Sequence, residues 1–264
     1  KIYANIYLSI NSFIKGDFLN AKNHISKTKN ILIVLERKDK DFKLRGEMLG
    51  YYEFISKAIL SIKNPDFSSK NIITPHIGDS NSLTFSNQLI KIKKETHNIK
   101  PALVKGGKAW NFASSKPNKY KSSFIEQINQ YSNSSSILLS FGSIDCNINT
   151  GIFQHCRKYN KNIIEVCRKT IDGYLDYMER NLSKNFKNRY YFGITAPSMA
   201  TYPDNELKTY QKELIKSYNS ILKKEVLAIG SSFIDVYKLT SNQFGENNSN
   251  YRIDRWDHLT HNSL

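Results

Sequence analysis

Thr74-Pro75-His76-Ile77-Gly78-Asp79-Ser80-Asn81-Ser82-Leu83-Thr84-Phe85 is the stretch on which the reading of this chain turns. An apolar, β-rich approach over residues 71–77 runs into Gly78-Asp79-Ser80, and an amphipathic, helix-like run follows. A strand that ends on glycine and passes through serine into a helix places a hydroxyl at the carboxyl end of a parallel sheet, where open α/β folds bind ligands. It also leaves the serine N–H at a helix N-terminus, facing any negative charge that develops there. The same tripeptide serves equally as a plain helix cap, because aspartate and serine are both favoured at that position.

Outward from this stretch, the pattern alternates strand and helix. Ile72–Ile77 reads as a strand, and Leu83, Phe85, Leu89, Ile90 and Ile92 suggest the next helix. Pro101–Val104 is a short strand before Gly106-Gly107, and Phe124, Ile125, Ile128 and Tyr131 mark a helix. Ser136–Phe141 is a largely apolar strand of the kind found at the centre of a parallel sheet. A long amphipathic helix over Ile163–Leu182, a strand over Arg189–Thr195, a helix over Leu207–Val226 and a last strand over Ser231–Val236 complete the series. This order predicts an α/β fold with a doubly wound parallel sheet.

Upstream, residues 1–62 read as helices. Phe13, Gly16-Asp17-Phe18 and Ala21 resemble the middle of a tetratricopeptide repeat, where a small residue lets two antiparallel helices approach, although Ile33 stands where that family usually has proline. A plain helical hairpin packed on the following domain is the competing reading, since one repeat unit cannot bury its own face. Pro65 and the serines within Asn64–Lys70 mark the boundary between a helical segment, residues 1–66, and an α/β domain, residues 67–264.

Composition narrows the function classes. The formal charge of +16 invites a nucleic-acid reading. The lysines, however, are spread along a chain rich in Asn, Ile, Ser and Tyr, which points to compositional bias and disfavours a nucleic-acid role. Such charge still attracts anionic partners nonspecifically. No run approaches the roughly 18–20 apolar residues that span a bilayer, and no signal peptide is visible. The sequence starts on Lys1, which leaves room for an upstream segment. Three cysteines, Cys146, Cys156 and Cys167, make an odd set without a paired CxxC. Reduced thiols, a cytoplasmic location and no zinc site are therefore expected.

The chemistry gathers at strand ends. Gly78-Asp79-Ser80, Gly106-Gly107 and Gly142-Ser143-Ile144-Asp145 converge on one edge of such a sheet, and the tail adds Asp254, Asp257, His258 and His261. A serine nucleophile needs a base for its proton and an acidic group to fix the tautomer of that base. Acyl transfer also needs donors aimed at the oxyanion.

These motifs, in this order, resemble the SGNH (GDSL-like) hydrolases, a superfamily of mostly esterases and acyl or acetyl hydrolases and transferases. The resemblance covers roughly residues 70–262 and implies a flavodoxin-like, three-layer α/β/α fold. It assigns Ser80 as nucleophile, the N–H groups of Ser80 and Gly106 (or Gly107) as oxyanion-hole donors, His258 as base and Asp254 (or Asp257) as its orienter. His76-Ile-Gly-Asp-Ser80, Lys105-Gly-Gly-Lys-Ala-Trp110 and Leu139-Ser-Phe-Gly-Ser-Ile-Asp-Cys146 look like a bacterial subgroup whose members are sometimes fused to helical repeats or glycosyltransferase domains. That association suggests an acyl or acetyl ester of a carbohydrate as substrate, no metal or organic cofactor, and a helical N-terminus open to a protein partner.

Two departures stand out. Ile144 occupies the place of the third block's asparagine, an oxyanion donor whose loss typically costs about 10²–10³ in rate. Arg255, rather than aspartate, lies three residues before His258, with Asp254 four before it, although many enzymes of the superfamily work as a Ser–His dyad. Asn81 and Asn111 are candidates to replace the missing donor. His76 reads mainly as a buried histidine, and Asp145 as a carboxylate holding loops through N–H bonds. Trp110 and Tyr202 belong either to a pocket or to the core, and Ala196-Pro197-Ser198 would shape the rim. A catalytically impaired domain that binds a glycan or a protein is the alternative function, motivated by Ile144 and the irregular Asp254–His258 spacing.

Overall fold

The computed structural model describes residues 1–39, 42–44, 46–61, 71–92, 94–182, 184–197, 204–248 and 250. Six strands form one sheet: β1 (Ile72–Gly78), β2 (Leu89–Ile92), β3 (Glu95–Leu103), β4 (Ser136–Ser140), β5 (Asn188–Phe192) and β6 (Ser232–Ile234), in the order β2-β3-β1-β4-β5-β6. β2 runs antiparallel to β3, and every other pairing is parallel. Without β2, the five parallel strands follow the flavodoxin-like order 2-1-3-4-5, and the strand order reverses between β1 and β4. Ser80 emerges from β1 at that reversal.

Prolines within β1 and β3 fit because each falls where its strand has a free side. β4 meets β1 only from His76 onward, just past Pro75. β2 meets β3 only up to Asn98, short of Pro101. Proline lacks the N–H that a neighbour on both sides would require.

Alternation along the strands sorts the two faces. Ile77, Ile137, Leu139 and Tyr191 join the main core, beneath helices α4 (Ala109–Ala113), α5 (Lys119–Gln130), α6 (Gly151–Tyr159), α7 (Ile163–Asn181) and α8 (Asn205–Ala228). Leu138, Tyr190 and Phe192 face the other way and pack with Phe85, Ile99 and Val236, the last from the short helix α9 (Val236–Thr240). Side-chain caps start the longer helices: Asn118 accepts from the N–H groups of Tyr120 and Lys121, Asn162 from Ile164 and Glu165, and Asp204 from Glu206.

The expected helix after Ser80 does not form. Ser80–Leu83 makes a 3₁₀ turn, residues 84–87 continue as turn, and Leu89–Ile92 is strand β2. Ser86 Oγ donates to the Leu83 carbonyl at 2.7 Å, and Asn87 adopts a left-handed φ of 55°, which swings the chain into the β2–β3 hairpin. Leu83 and Phe85, apolar on the helical reading, serve different cores: Leu83 packs into the N-terminal helices and Phe85 against the sheet.

Those helices are α1 (Ile2–Ile14), α2 (Phe18–Lys38) and α3 (Gly46–Ser61). α1 and α2 form a hairpin about Gly16-Asp17, with Asp17 capping α2 through Asn20 N–H and Ala21 fully buried. α3 closes one core with them, in which Phe13 meets Phe18 and Phe54 edge-on at 5.8 and 6.0 Å. The unit seats on the 80–88 segment. Leu83 enters its core, and Asn87 Nδ2 donates to the Phe13 carbonyl at 3.0 Å. The expected boundary at Asn64–Lys70 lies outside the described residues.

Among the described residues no helix is long and apolar enough to cross a membrane.

Candidate active site

Three adjacent strand ends carry the candidate residues. Gly78 is paired with Leu103 on one side and Ser140 on the other. Beyond the ladder, Val104 N–H donates to the Gly78 carbonyl at 2.7 Å, and Asp79 N–H donates to the Ser140 carbonyl at 3.1 Å. Ser80 is thus flanked by the Gly106 loop and by the Gly142–Asp145 turn. Glycine at position 78 is a packing requirement: a Cβ there would lie 2.0 Å from Ser140 Oγ and 2.4 Å from its carbonyl oxygen. Any side chain would wedge β1 away from β4 and displace the serine that follows.

Ser80 is half-buried at the first position of the 3₁₀ turn. Neither its N–H nor its Oγ makes a hydrogen bond among the described residues. Asp79 caps the turn instead, with Oδ1 accepting from Asn81 N at 2.9 Å and from Asn81 Nδ2 at 3.1 Å. The two readings of Gly-Asp-Ser therefore separate by residue: Asp79 does the capping, and Ser80 keeps its hydroxyl and N–H.

Gly106 adopts φ +72° in the turn after β3, a conformation that favours glycine, and its N–H makes no bond among the described residues. Gly107 differs. Its N–H donates to the Val104 carbonyl at 2.9 Å, and a Cβ there would lie 2.9 Å from the Phe141 ring. Of the two candidate donors, Gly106 is available and Gly107 holds the turn.

On the opposite flank, Ile144 is half-buried in the turn, and its carbonyl accepts from Thr150 Oγ1 at 2.5 Å. Asn81, weighed as a substitute donor, is buried with its amide on Asp79. Asn111 lies in α4, and its backbone carbonyl accepts from Asn118 Nδ2 at 2.9 Å.

Asp145 is fully buried and holds loops. Oδ2 accepts from Ala109 N at 2.8 Å and Oδ1 from Trp110 N at 3.1 Å, tying the β4 turn to the start of α4 just past Gly107. Burial pushes its carboxyl up to about 7, against the pull of the two N–H bonds. His76 is also fully buried, between Phe85 and Phe192. Its Nε2 shares a 2.9 Å hydrogen bond with Ser140 Oγ, and burial pushes the imidazole down to about 3, so it stays neutral. It points at Ser140 rather than at Ser80.

The tail candidates Asp254, Asp257, His258 and His261 lie outside the described residues, as do Ser198 and Tyr202. Cys146, Cys156 and Cys167 are free and buried, and burial pushes all three thiols up.

Lys105 joins the site from long range. Its Nζ donates to Tyr7 Oη at 2.6 Å and pairs with Glu47 at 3.2 Å, which fastens the residue before Gly106 to α1 and α3. Tyr51 of α3 is buried, and the charges of Glu47 and Asp79 join burial in pushing its phenol up. The Lys105–Trp110 motif does not announce this contact, because Tyr7 lies 98 residues away.

No protein-family model matches the chain, and no curated protein matches its sequence. Solved structures similar to it include a proposed platelet activating factor from Streptococcus pneumonia, at 13% identity and TM-score 0.45, covering 74% of this chain and 79% of that one. A GDSL-like lipase from Bacteroides thetaiotaomicron is similar at 14% identity and TM-score 0.44, covering 77% of this chain and 86% of that one.

Proposed function

We propose that the chain is a serine ester hydrolase or acyl transferase of the SGNH kind. The observation that carries this reading is the placement of Ser80: a half-buried serine at the topological switch point, its Oγ and N–H unengaged among the described residues, beside a Gly106 N–H that is also unengaged. Ser80 Oγ attacks the ester carbonyl, and the Ser80 and Gly106 N–H groups receive the charge on the carbonyl oxygen. His258 takes the serine proton and returns it to the departing alcohol, with Asp254 or Asp257 orienting the ring. Water or an acceptor hydroxyl then releases the acyl group by the same path. The substrate is an acyl or acetyl ester, and the subgroup resemblance favours one borne on a carbohydrate.

Hydrolysis of a short-chain aryl acetate by wild type and by Ser80→Ala tests this. Loss of turnover in the variant supports the role of Ser80, and equal rates remove it. A second reading, a catalytically impaired domain that binds a glycan or a protein, draws on Ile144 and on the Asn81 amide already bound to Asp79. It predicts no turnover in either protein.

A further inference from the structure

Two cavities share one ring contact in their linings. Trp110 and His155 line both, with ring centroids 5.0 Å apart, and Tyr159 continues the row at 5.0 Å from His155. Successive rings are tilted by 50° and 51°, so the row offers separate faces along a groove. One cavity has a volume of about 640 Å³ and the other about 310 Å³.

The charge around the groove is one-sided. Lys108 and Lys158 line the smaller cavity, and Lys161 and Lys169 the larger, against a single acid, Glu165. Elsewhere Lys105 pairs with Glu47, Lys212 with Glu246 and Lys223 with Asp235. None of the four groove lysines makes an ion pair among the described residues. The groove is tied to the candidate site through α4, although neither cavity is lined by Ser80 or Gly106. Lys108 follows Gly106-Gly107, and Trp110 donates its N–H to Asp145 in the first turn of α4.

We propose that this groove is the subsite for an anionic saccharide chain carrying the ester, an inference that rests on the hydrolase reading above. Lys158 Nζ lies over the Tyr159 ring, 5.2 Å from its centroid. A bound saccharide takes its place there, with sugar C–H faces on the indole, imidazole and phenol rings and carboxylate or sulfate groups pairing with ammonium groups that make no ion pair among the described residues. The acyl group on such a chain then lies toward the Gly106 loop. A row of rings tilted against each other suits sugar rings better than parallel bases. An acyl ester also needs hydroxyl groups to carry it, which a polyol supplies in quantity.

The test is a titration of the full chain, wild type and Ser80→Ala, with three probes: an alginate oligosaccharide, a neutral cello-oligosaccharide of equal length, and an oligothymidylate. The alginate probe is expected to bind both proteins, to weaken with added salt, and to weaken by about tenfold or more in Lys158→Gln/Lys161→Gln. Tyr159→Ala, at an exposed ring, is expected to weaken it without a change in melting temperature. Equal affinity for the neutral probe, tighter binding of oligothymidylate, or no saturable saccharide binding each overturns the proposal. The titration reads binding without turnover. Absence of saccharide binding alongside Ser80-dependent aryl acetate hydrolysis therefore overturns the subsite alone. Binding without any Ser80-dependent hydrolysis overturns the hydrolase reading, and with it the groove's place as a substrate site.

Discussion

Asp145→Ala probes the joint between the two loops that flank Ser80. The substitution removes both acceptors of the α4 start, Oδ2 from the buried Ala109 N–H and Oδ1 from the half-buried Trp110 N–H. A buried donor left without a partner costs roughly 1–3 kcal/mol. The full range for Ala109 and its lower part for Trp110 give about 2–4 kcal/mol, or a fall in melting temperature of about 10 °C for a chain of this size. A second effect opposes this one. Burial holds the Asp145 carboxyl at about 7, above its ordinary 3.8, so the folded protein keeps a proton that the unfolded chain releases. Wild-type stability from this group is therefore full below about 4 and is lost as pH rises through about 7. Deleting the carboxyl removes that loss, so the gap between wild type and variant is widest in mild acid and narrows above neutrality. Thermal melts across this window read both effects. A variant that melts with wild type in mild acid would show that the two N–H bonds do not hold α4. A gap that widens with pH would show that those bonds, rather than burial, set the carboxyl's ionisation.

Lys105→Met is expected to change stability little, because half-exposed ion pairs contribute under about 1 kcal/mol. It should lower kcat for an aryl acetate several-fold with KM nearly constant, since the adjacent Gly106 N–H loses its aim; unchanged kcat would refute the clamp. Gly78→Ala puts a Cβ against the Ser140 backbone oxygen, which cannot rotate aside, and should cost roughly 3 kcal/mol or more or prevent folding. A melting temperature within a few degrees of wild type would contradict the β1–β4 register. His76, held down at about 3 by burial against an ordinary 6.5, gives stability that is present above 6.5 and lost as pH falls through about 3. His76→Asn should flatten that acid limb in a stability–pH profile, and an unaltered slope would refute the burial argument.

The strand ends were the legible part of this chain. Gly78 ends a strand and Gly106 and Gly142 follow one, each strand announced by its apolar content. Four of the five parallel strands fall close to the expected runs, while β3 begins at Glu95, six residues before the short strand expected over Pro101–Val104. The loop-holding role read for Asp145 matches its two N–H partners. The run from Leu83 to Ile92 misled because its apolar residues fit a helical face while serving three surfaces: the N-terminal core, the sheet and an edge hairpin. Local serine and asparagine bonds decided the backbone there, and such bonds leave no hydrophobic period. The Lys105–Tyr7–Glu47 contact and the Trp110–His155–Tyr159 row were hidden for a different reason. Both join elements distant in sequence, Lys105 to Tyr7 and Trp110 to His155, so neither the Lys105–Trp110 motif nor the i, i+4 spacing of His155 and Tyr159 in α6 reveals them.

The central proposal is that Ser80 is a nucleophile beside two N–H donors, its own and that of Gly106, which are unengaged among the described residues. Treatment of the full chain with a fluorophosphonate, followed by peptide mass spectrometry, tests it most directly, because the reagent marks a serine only where hydroxyl, base and oxyanion donors act together. The account predicts a single phosphonyl adduct on the peptide holding Ser80, absent in Ser80→Ala and slowed in His258→Ala. An adduct on another serine, or none on Ser80 in folded protein, would contradict it.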